Sequence, residues 1–216
     1  MIGLEQLVTV LDADFEDHEG LRLRLLNGAP KFGNDDPSVD ALRAQITSEF
    51  YQEVRSHHAE PGGFHWPGEV IFSYHVDLAP VVGASADGRR AGAPLADSAG
   101  AAQGTDLHGP TALLHSMLAL PQDRCLTCCS LNVRFTPSLW TRGREEIIAL
   151  FRSYFQRGGY QVQINVVDAR TLQAARRDPA SYRSLVVRVG GFSAYFTQLE
   201  PKLQEEIIRR TAHGSI

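Results

Sequence analysis

Downstream of Pro110 the spacing of apolar residues switches repeatedly between two and about 3.6, and this constrains the chain more than any other feature. SLNVRF sets Leu131, Val133 and Phe135 at alternate positions, as one face of a strand requires. REEIIALFRSYFQRGG places Ile147, Leu150, Phe151 and Tyr154 on one helical face, and Gly158-Gly159 stops that helix. YQVQINVV alternates again through Tyr160, Val162, Ile164 and Val166. Asp168 is placed to cap a helix through Leu172 and Ala175, which Asp178-Pro179 ends. LVVRVGGF reads as a strand running into a glycine pair. PKLQEEIIRR reads as a last helix, with Pro201 in its first turn and Leu203, Ile207 and Ile208 inward. Strand and helix in alternation predict an α/β fold.

Upstream the pattern is looser. Leu4, Leu7, Val8 and Leu11 predict one helix, and Val39, Leu42, Ile46, Phe50 and Val54 a longer one beyond the turn-rich Pro30–Pro37 stretch. After AEPGGFHWPG, the run EVIFSYHVDL is predicted to be a strand, with His75 on it. The segment from Gly83 to Pro110 has almost no apolar periodicity. A loop of that length inside a compact domain points to function or disorder, and its small, weakly charged composition favours an ordered functional loop. Asp87 and Arg89 are candidates for fixing it through turn and ion-pair contacts.

Across 216 residues the net charge is −4, which favours neither nucleic acid nor an anionic membrane as a partner, and 43% hydrophobic content suffices for a real core. No apolar run approaches the ~20 residues of a membrane span. The acidic N-terminus is neither a secretory signal nor a transit peptide, so a cytoplasmic location is expected. Cys125, Cys128 and Cys129, odd in number and bunched, do not form a disulfide framework and fit a reducing compartment.

On pattern alone, Gly190-Gly191 at the end of a strand indicates a bulge or a close backbone approach. The wider run is more specific. RVGGFSAYF, residues 188–196, resembles the glycyl radical motif of the pyruvate formate-lyase and glycerol/diol dehydratase superfamily. Further landmarks of that family occur in order: PKFGNDD (30–36), DGRRAGAPLADS (87–98), QGTDLHGPTALLHS (103–116), LNVRF (131–135), GGYQVQINVVDARTLQAARRDPASYRSLVVRV (158–189) and LQEEIIRRTAH (203–213). The resemblance therefore covers nearly the whole chain. It implies the C-terminal part of the family's ten-stranded α/β barrel, with outer helices and a glycine-radical loop. The corresponding division is residues 1–140 as barrel and 141–216 as the glycine radical domain.

Aligned on Arg188 and Val189, the radical glycine is Gly191. Gly190 takes a position where the family accepts a small residue, so Gly190→Ala is expected to be tolerated. Phe192 stands where Tyr is usual. Arg188, Val189, Phe192 and Ser193 are implied to support the loop or to dock an activase. That partner would be an S-adenosylmethionine-dependent iron–sulfur enzyme that installs the radical; the chain itself would bind no cofactor and no metal. The loop is expected to be clamped by LVVRV and PKLQEEIIRR and to swing out for activation.

The family's catalytic loop, a Gly-Cys-x-Glu-type segment, has no match in these residues, and no cysteine precedes Cys125. A partner is therefore expected: a chain carrying that loop, or a second copy. The alternative is a spare-part protein that docks onto an oxygen-damaged full-length enzyme. Cys128-Cys129 precede a strand and read as core residues rather than the thiyl pair. His57 and His58 do not share a helix face and make a poor metal pair. His75 is a candidate substrate or barrel-lumen residue.

Overall fold

The computed structural model describes residues 2–210 and 212–215, so Thr211 of the closing Arg-Thr-Ala-His run lies outside the described residues. In chain order it contains α1 (Leu4–Asp12), α2 (Glu19–Gly28), α3 (Pro37–Ser56), β1 (His58–Ala59), β2 (Gly63–Phe64), α4 (Tyr74–Asp77) and α5 (Gly109–Leu118). There follow β3 (Asn132–Phe135), α6 (Pro137–Arg142), α7 (Arg144–Gln156), β4 (Gln163–Val166) and α8 (Ala169–Arg177). The last elements are β5 (Val186–Arg188), β6 (Ser193–Tyr195), α9 (Pro201–Arg209) and β7 (Ala212–His213). The mixed α/β composition is the one the changing apolar period predicts. No helix among the described residues is long and apolar enough to cross a membrane.

The chain divides into two compact units, one of Met1–Pro30 with Ser73–Leu95 and one of Lys31–Phe72 with Ala96–Ile216. The larger unit is built on a parallel sheet in the order β4-β3-β7, with Asn132 opposite Gln163 and Phe135 opposite both Val166 and His213. β3 is central and covered on both faces, as parallel strands usually are. On one face Leu131, Val133 and Phe135 pack into a core with Leu113, Met117 and Tyr154. Each such side chain contributes about 1.5–3 kcal/mol by leaving water. On the other face Arg134 is only 5% exposed. Its guanidinium donates to the carbonyls of Ile207 (2.7 Å) and Ile208 (3.3 Å), satisfying the open C-terminal end of α9.

Local rules account for the helix starts. The Asp36 carboxylate accepts from the amides of Ser38 (2.9 Å) and Val39 (3.3 Å), with Pro37 in the first turn of α3. Asp168 accepts from the Thr171 amide at 2.6 Å and starts α8. On α3 the residues Leu42, Ile46 and Phe50, four apart, form a stripe that is more than half exposed.

Within the same unit the Ala96–Pro110 half of the long loop is held by the FGNDD segment. Asn34 donates to the Thr105 carbonyl (2.7 Å) and accepts from the Leu107 (2.8 Å) and His108 (3.1 Å) amides. In the smaller unit Arg89 ties its half of the loop chiefly through backbone carbonyls, those of Gly83, Arg90 and Ala93. Asp87 accepts from Ser85 Oγ at 2.6 Å and the Arg89 amide at 3.2 Å.

The strand predicted over EVIFSYHVDL is not formed, and His75 is not a strand residue. Phe72 has φ +51°, which ends the extended run, and the chain enters α4. Ser73 organises that turn: its carbonyl accepts from the Val76 (2.9 Å) and Asp77 (3.2 Å) amides, and its hydroxyl donates to Asp77 Oδ2 at 2.9 Å. Local bonds of this kind compete directly with a sheet ladder. The His75 side chain is fully buried. Of the run, Glu69 makes a parallel bridge, to Cys129.

Candidate functional site at the β5–β6 turn

The glycine pair sits at the tip of an antiparallel hairpin in which Arg188 opposes Ser193. The turn closes with the Val189 amide donating to the Phe192 carbonyl at 2.9 Å. Gly191 has φ +92°, a conformation that L side chains rarely adopt. A Cβ there would also lie 3.1 Å from the Phe72 ring. Gly190 is buried, and a Cβ on it would fall 2.8 Å from the Phe72 carbonyl oxygen. The expected tolerance of Gly190→Ala is thus corrected: the obstacle is backbone, which cannot rotate aside as a side chain does.

The four residues expected to support the loop or to dock an activase, Arg188, Val189, Phe192 and Ser193, all lie on this hairpin. The Arg188 guanidinium donates to Ser193 Oγ at 3.1 Å, across the ladder. Val189 is fully buried. Phe192 is 40% exposed, with its ring 6.3 Å from that of Phe72. Gly191 itself is exposed.

The residues that fix the hairpin were not legible as such. Gln163 and Asn165 are two apart on β4 and so face the same way. Asn165 Oδ1 accepts from the Arg188 amide (2.7 Å) and its Nδ2 donates to the Arg188 carbonyl (2.8 Å). Gln163 Oε1 accepts from the Gly191 amide at 2.8 Å, and its Nε2 donates to Ser130 Oγ at 2.9 Å. A period-two polar face normally indicates solvent, yet Gln163 and Asn165 are 3% and 5% exposed. The available signal was two amide side chains at alternate positions of an otherwise apolar strand.

The third anchor is Arg210, immediately after α9, which donates to the Val189 carbonyl at 2.9 Å. It is paired with Glu206 (2.9 Å) and Asp97 (3.2 Å). Burial opposes its charge, but the two carboxylates outweigh burial and hold the guanidinium above its usual range. Burial, then the nearby Arg210 charge, push Arg134 down to about 10. The clamp expected from PKLQEEIIRR therefore acts through the arginine at its end. Gln103 donates to Glu206 at 3.1 Å and Asn132 to Asp97 at 2.7 Å, so the Ala96–Pro110 segment is part of this network.

The thiols lie elsewhere in the same unit. Cys125 and Cys129 are buried, and Cys128 donates to Gln161 Oε1 at 2.8 Å. Burial pushes the Cys128 and Cys129 thiols up, away from the reactive thiolate. Among the described residues no group of three or more His, Cys, Asp or Glu is placed to hold a metal ion.

Residues 95–197, which include the whole hairpin, match the Glycine radical family, and residues 1–79 match the Pyruvate formate lyase-like family. The chain is 40% identical over 98% of its length to the probable dehydratase YbiW of Escherichia coli K12, of which it covers 28%. It is 36% identical over 98% of its length to isethionate sulfite-lyase of Desulfovibrio desulfuricans, of which it covers 26%. The glycerol-bound, B12-independent glycerol dehydratase of Clostridium butyricum superposes over 99% of this chain with TM-score 0.95 and 37% identity, and 27% of that chain is covered. The chain thus spans just over a quarter of the length of the relatives it matches. On these matches and the hairpin they enclose, the chain belongs to the glycyl radical enzyme superfamily and corresponds to its C-terminal portion.

Proposed function

We propose that this chain is the radical-bearing part of a glycyl radical enzyme, storing a Cα radical on Gly191 and passing it to a catalytic cysteine outside these 216 residues. The observation that carries the reading is the Gly191 turn. It follows Arg188-Val189, has a backbone conformation suited to glycine, and is held through the Gly191 amide and the carbonyls of Arg188 and Val189. A radical on glycine Cα is delocalised by the electron-donating amide nitrogen on one side and the carbonyl on the other. A side chain would twist that planar unit and crowd a thiol approaching the Cα.

In the proposed cycle the Gly191 radical takes a hydrogen atom from the cysteine S–H. A Cα–H bond forms, an S–H bond breaks, and the unpaired electron moves to sulfur. The thiyl starts the substrate reaction, and the hydrogen returns at its end, restoring the radical on Gly191. The matched dehydratases and the sulfite-lyase support an elimination as the reaction class. Installing the radical requires removal of one hydrogen atom from Gly191 by a separate S-adenosylmethionine-dependent iron–sulfur activase. Arg188, Val189, Phe192 and Ser193 support the loop for that encounter. In this reading β3 belongs to the family's barrel, and β4 and β7, which pair with it, to the glycine radical domain. The exposed Leu42, Ile46 and Phe50 stripe on α3 is an apolar face for the remainder of the fold.

The test is anaerobic activation followed by spin resonance and then exposure to air. Oxygen adds to a Cα radical and cleaves the backbone there, so mass spectrometry should find a C-terminal piece beginning in the Phe192 region. Gly191→Ala should abolish both the spin signal and the cut. A signal that survives Gly191→Ala would overturn the assignment.

A further inference from the structure

Of the three anchors on the hairpin, two act on its stem. Asn165 holds the backbone of Arg188 and Arg210 the carbonyl of Val189. Gln163 reaches Gly191 itself, through the Gly191 amide at 2.8 Å. We infer that Gln163 is a positioning residue: its side-chain amide is the latch that sets how readily Gly191 leaves its closed position. This inference rests on the radical reading of Gly191.

The latch is preset by chemistry and by place. A peptide N–H only donates, so Oε1 must face Gly191, and Nε2 is then turned to Ser130 Oγ at 2.9 Å. Ser130 is fully buried and Gln163 is 3% exposed, on a strand paired with β3, so the acceptor is rigid before Gly191 arrives. Gly191 is exposed on its other side. In this chain, breaking the bond exchanges it for one to water, so the net cost is that of one neutral hydrogen bond. That corresponds to roughly a two- to twelvefold change in the opening equilibrium. A latch of that size favours the closed turn and still yields to a second protein that must reach the Cα. An activase that binds only the open turn sees an affinity reduced by the open fraction, so loosening the latch speeds radical installation.

The experiment uses two substitutions and two readouts. Gln163→Met keeps an unbranched side chain of similar length and removes the acceptor. Gln163→Glu keeps the acceptor, and the Ser130 hydroxyl can turn to donate to it. Amide hydrogen exchange at Gly191 is followed by NMR in the unactivated chain. The rate of spin formation is measured with limiting activase. Gln163→Met should speed both about fivefold, and Gln163→Glu should bring both back towards the parent values. Exchange at Val133 and Ile164 should stay at the parent rate. Unchanged exchange and activation in Gln163→Met would overturn the inference. So would acceleration at Val133 and Ile164 equal to that at Gly191, which would mark a merely structural role. A parent chain that forms no radical overturns the reading of Gly191 instead, and the exchange rates then still decide whether Gln163 holds the turn.

Discussion

Asn165 bonds Arg188 at both ends of its side-chain amide, accepting from the Arg188 N–H at 2.7 Å and donating to its C=O at 2.8 Å. One side chain thus plays the part of a neighbouring strand for one residue of β5. Asn165→Leu should lose both bonds and leave two backbone groups without those partners, a cost of about 2 kcal/mol. Urea denaturation measures the total. Faster amide exchange confined to Arg188 and its neighbours would separate loosening of the hairpin from global loss.

Arg210 links two buried carboxylates to the loop carbonyl of Val189. Arg210→Met should destabilise the fold by about 3–5 kcal/mol, because the buried Asp97 and Glu206 lose the guanidinium that pairs with both. Neutralising all three together, with Asp97→Asn and Glu206→Gln, should recover much of that loss. The comparison of single and triple variants by chemical denaturation distinguishes a charge effect from lost packing.

The cysteine pair should prove structural. Replacing Cys128 and Cys129 together by Ala removes a fully buried thiol and the Cys128–Gln161 bond, for about 1–2 kcal/mol. Spin formation at Gly191 should persist at the parental yield. Since burial raises both thiols, alkylation of the folded chain at neutral pH should be slow and should accelerate on unfolding. A stable fold that has lost its spin signal would return the pair to the chemistry.

Asp168 gives a pH signature. Its carboxyl is held below the ordinary value of 3.8, first by the Thr171 backbone N–H. A depressed folded value means the stabilisation is present above pH 3.8 and is lost as pH falls through the lower folded value. Asp168→Ala should cost about 1 kcal/mol at neutral pH. Asp168→Asn caps without titrating, so it should nearly match the parent at neutral pH and overtake it in acid. Unfolding curves of the three proteins at pH 7 and below pH 3.8 provide the check.

Much was decided by the sequence itself. Apolar period alone located β3, β4, α7 and α9, because period two and period 3.6 bury different sets of side chains. Asp168 announced the start of α8, and the order of short motifs, above all RVGGFSAYF, announced the family. Tertiary structure decided the rest. His75 looked strand-borne because its run is apolar, but Ser73 offered a local turn and no neighbouring ladder formed around it. Gly190 looked interchangeable with Ala until Phe72, far away in sequence, placed its carbonyl 2.8 Å from the missing Cβ. Gln163, Asn165 and Arg210 do not stand out in the sequence, because a polar residue states only that it needs partners. Which partners it finds depends on what the fold lays over it, and here that is the backbone of the Gly191 turn.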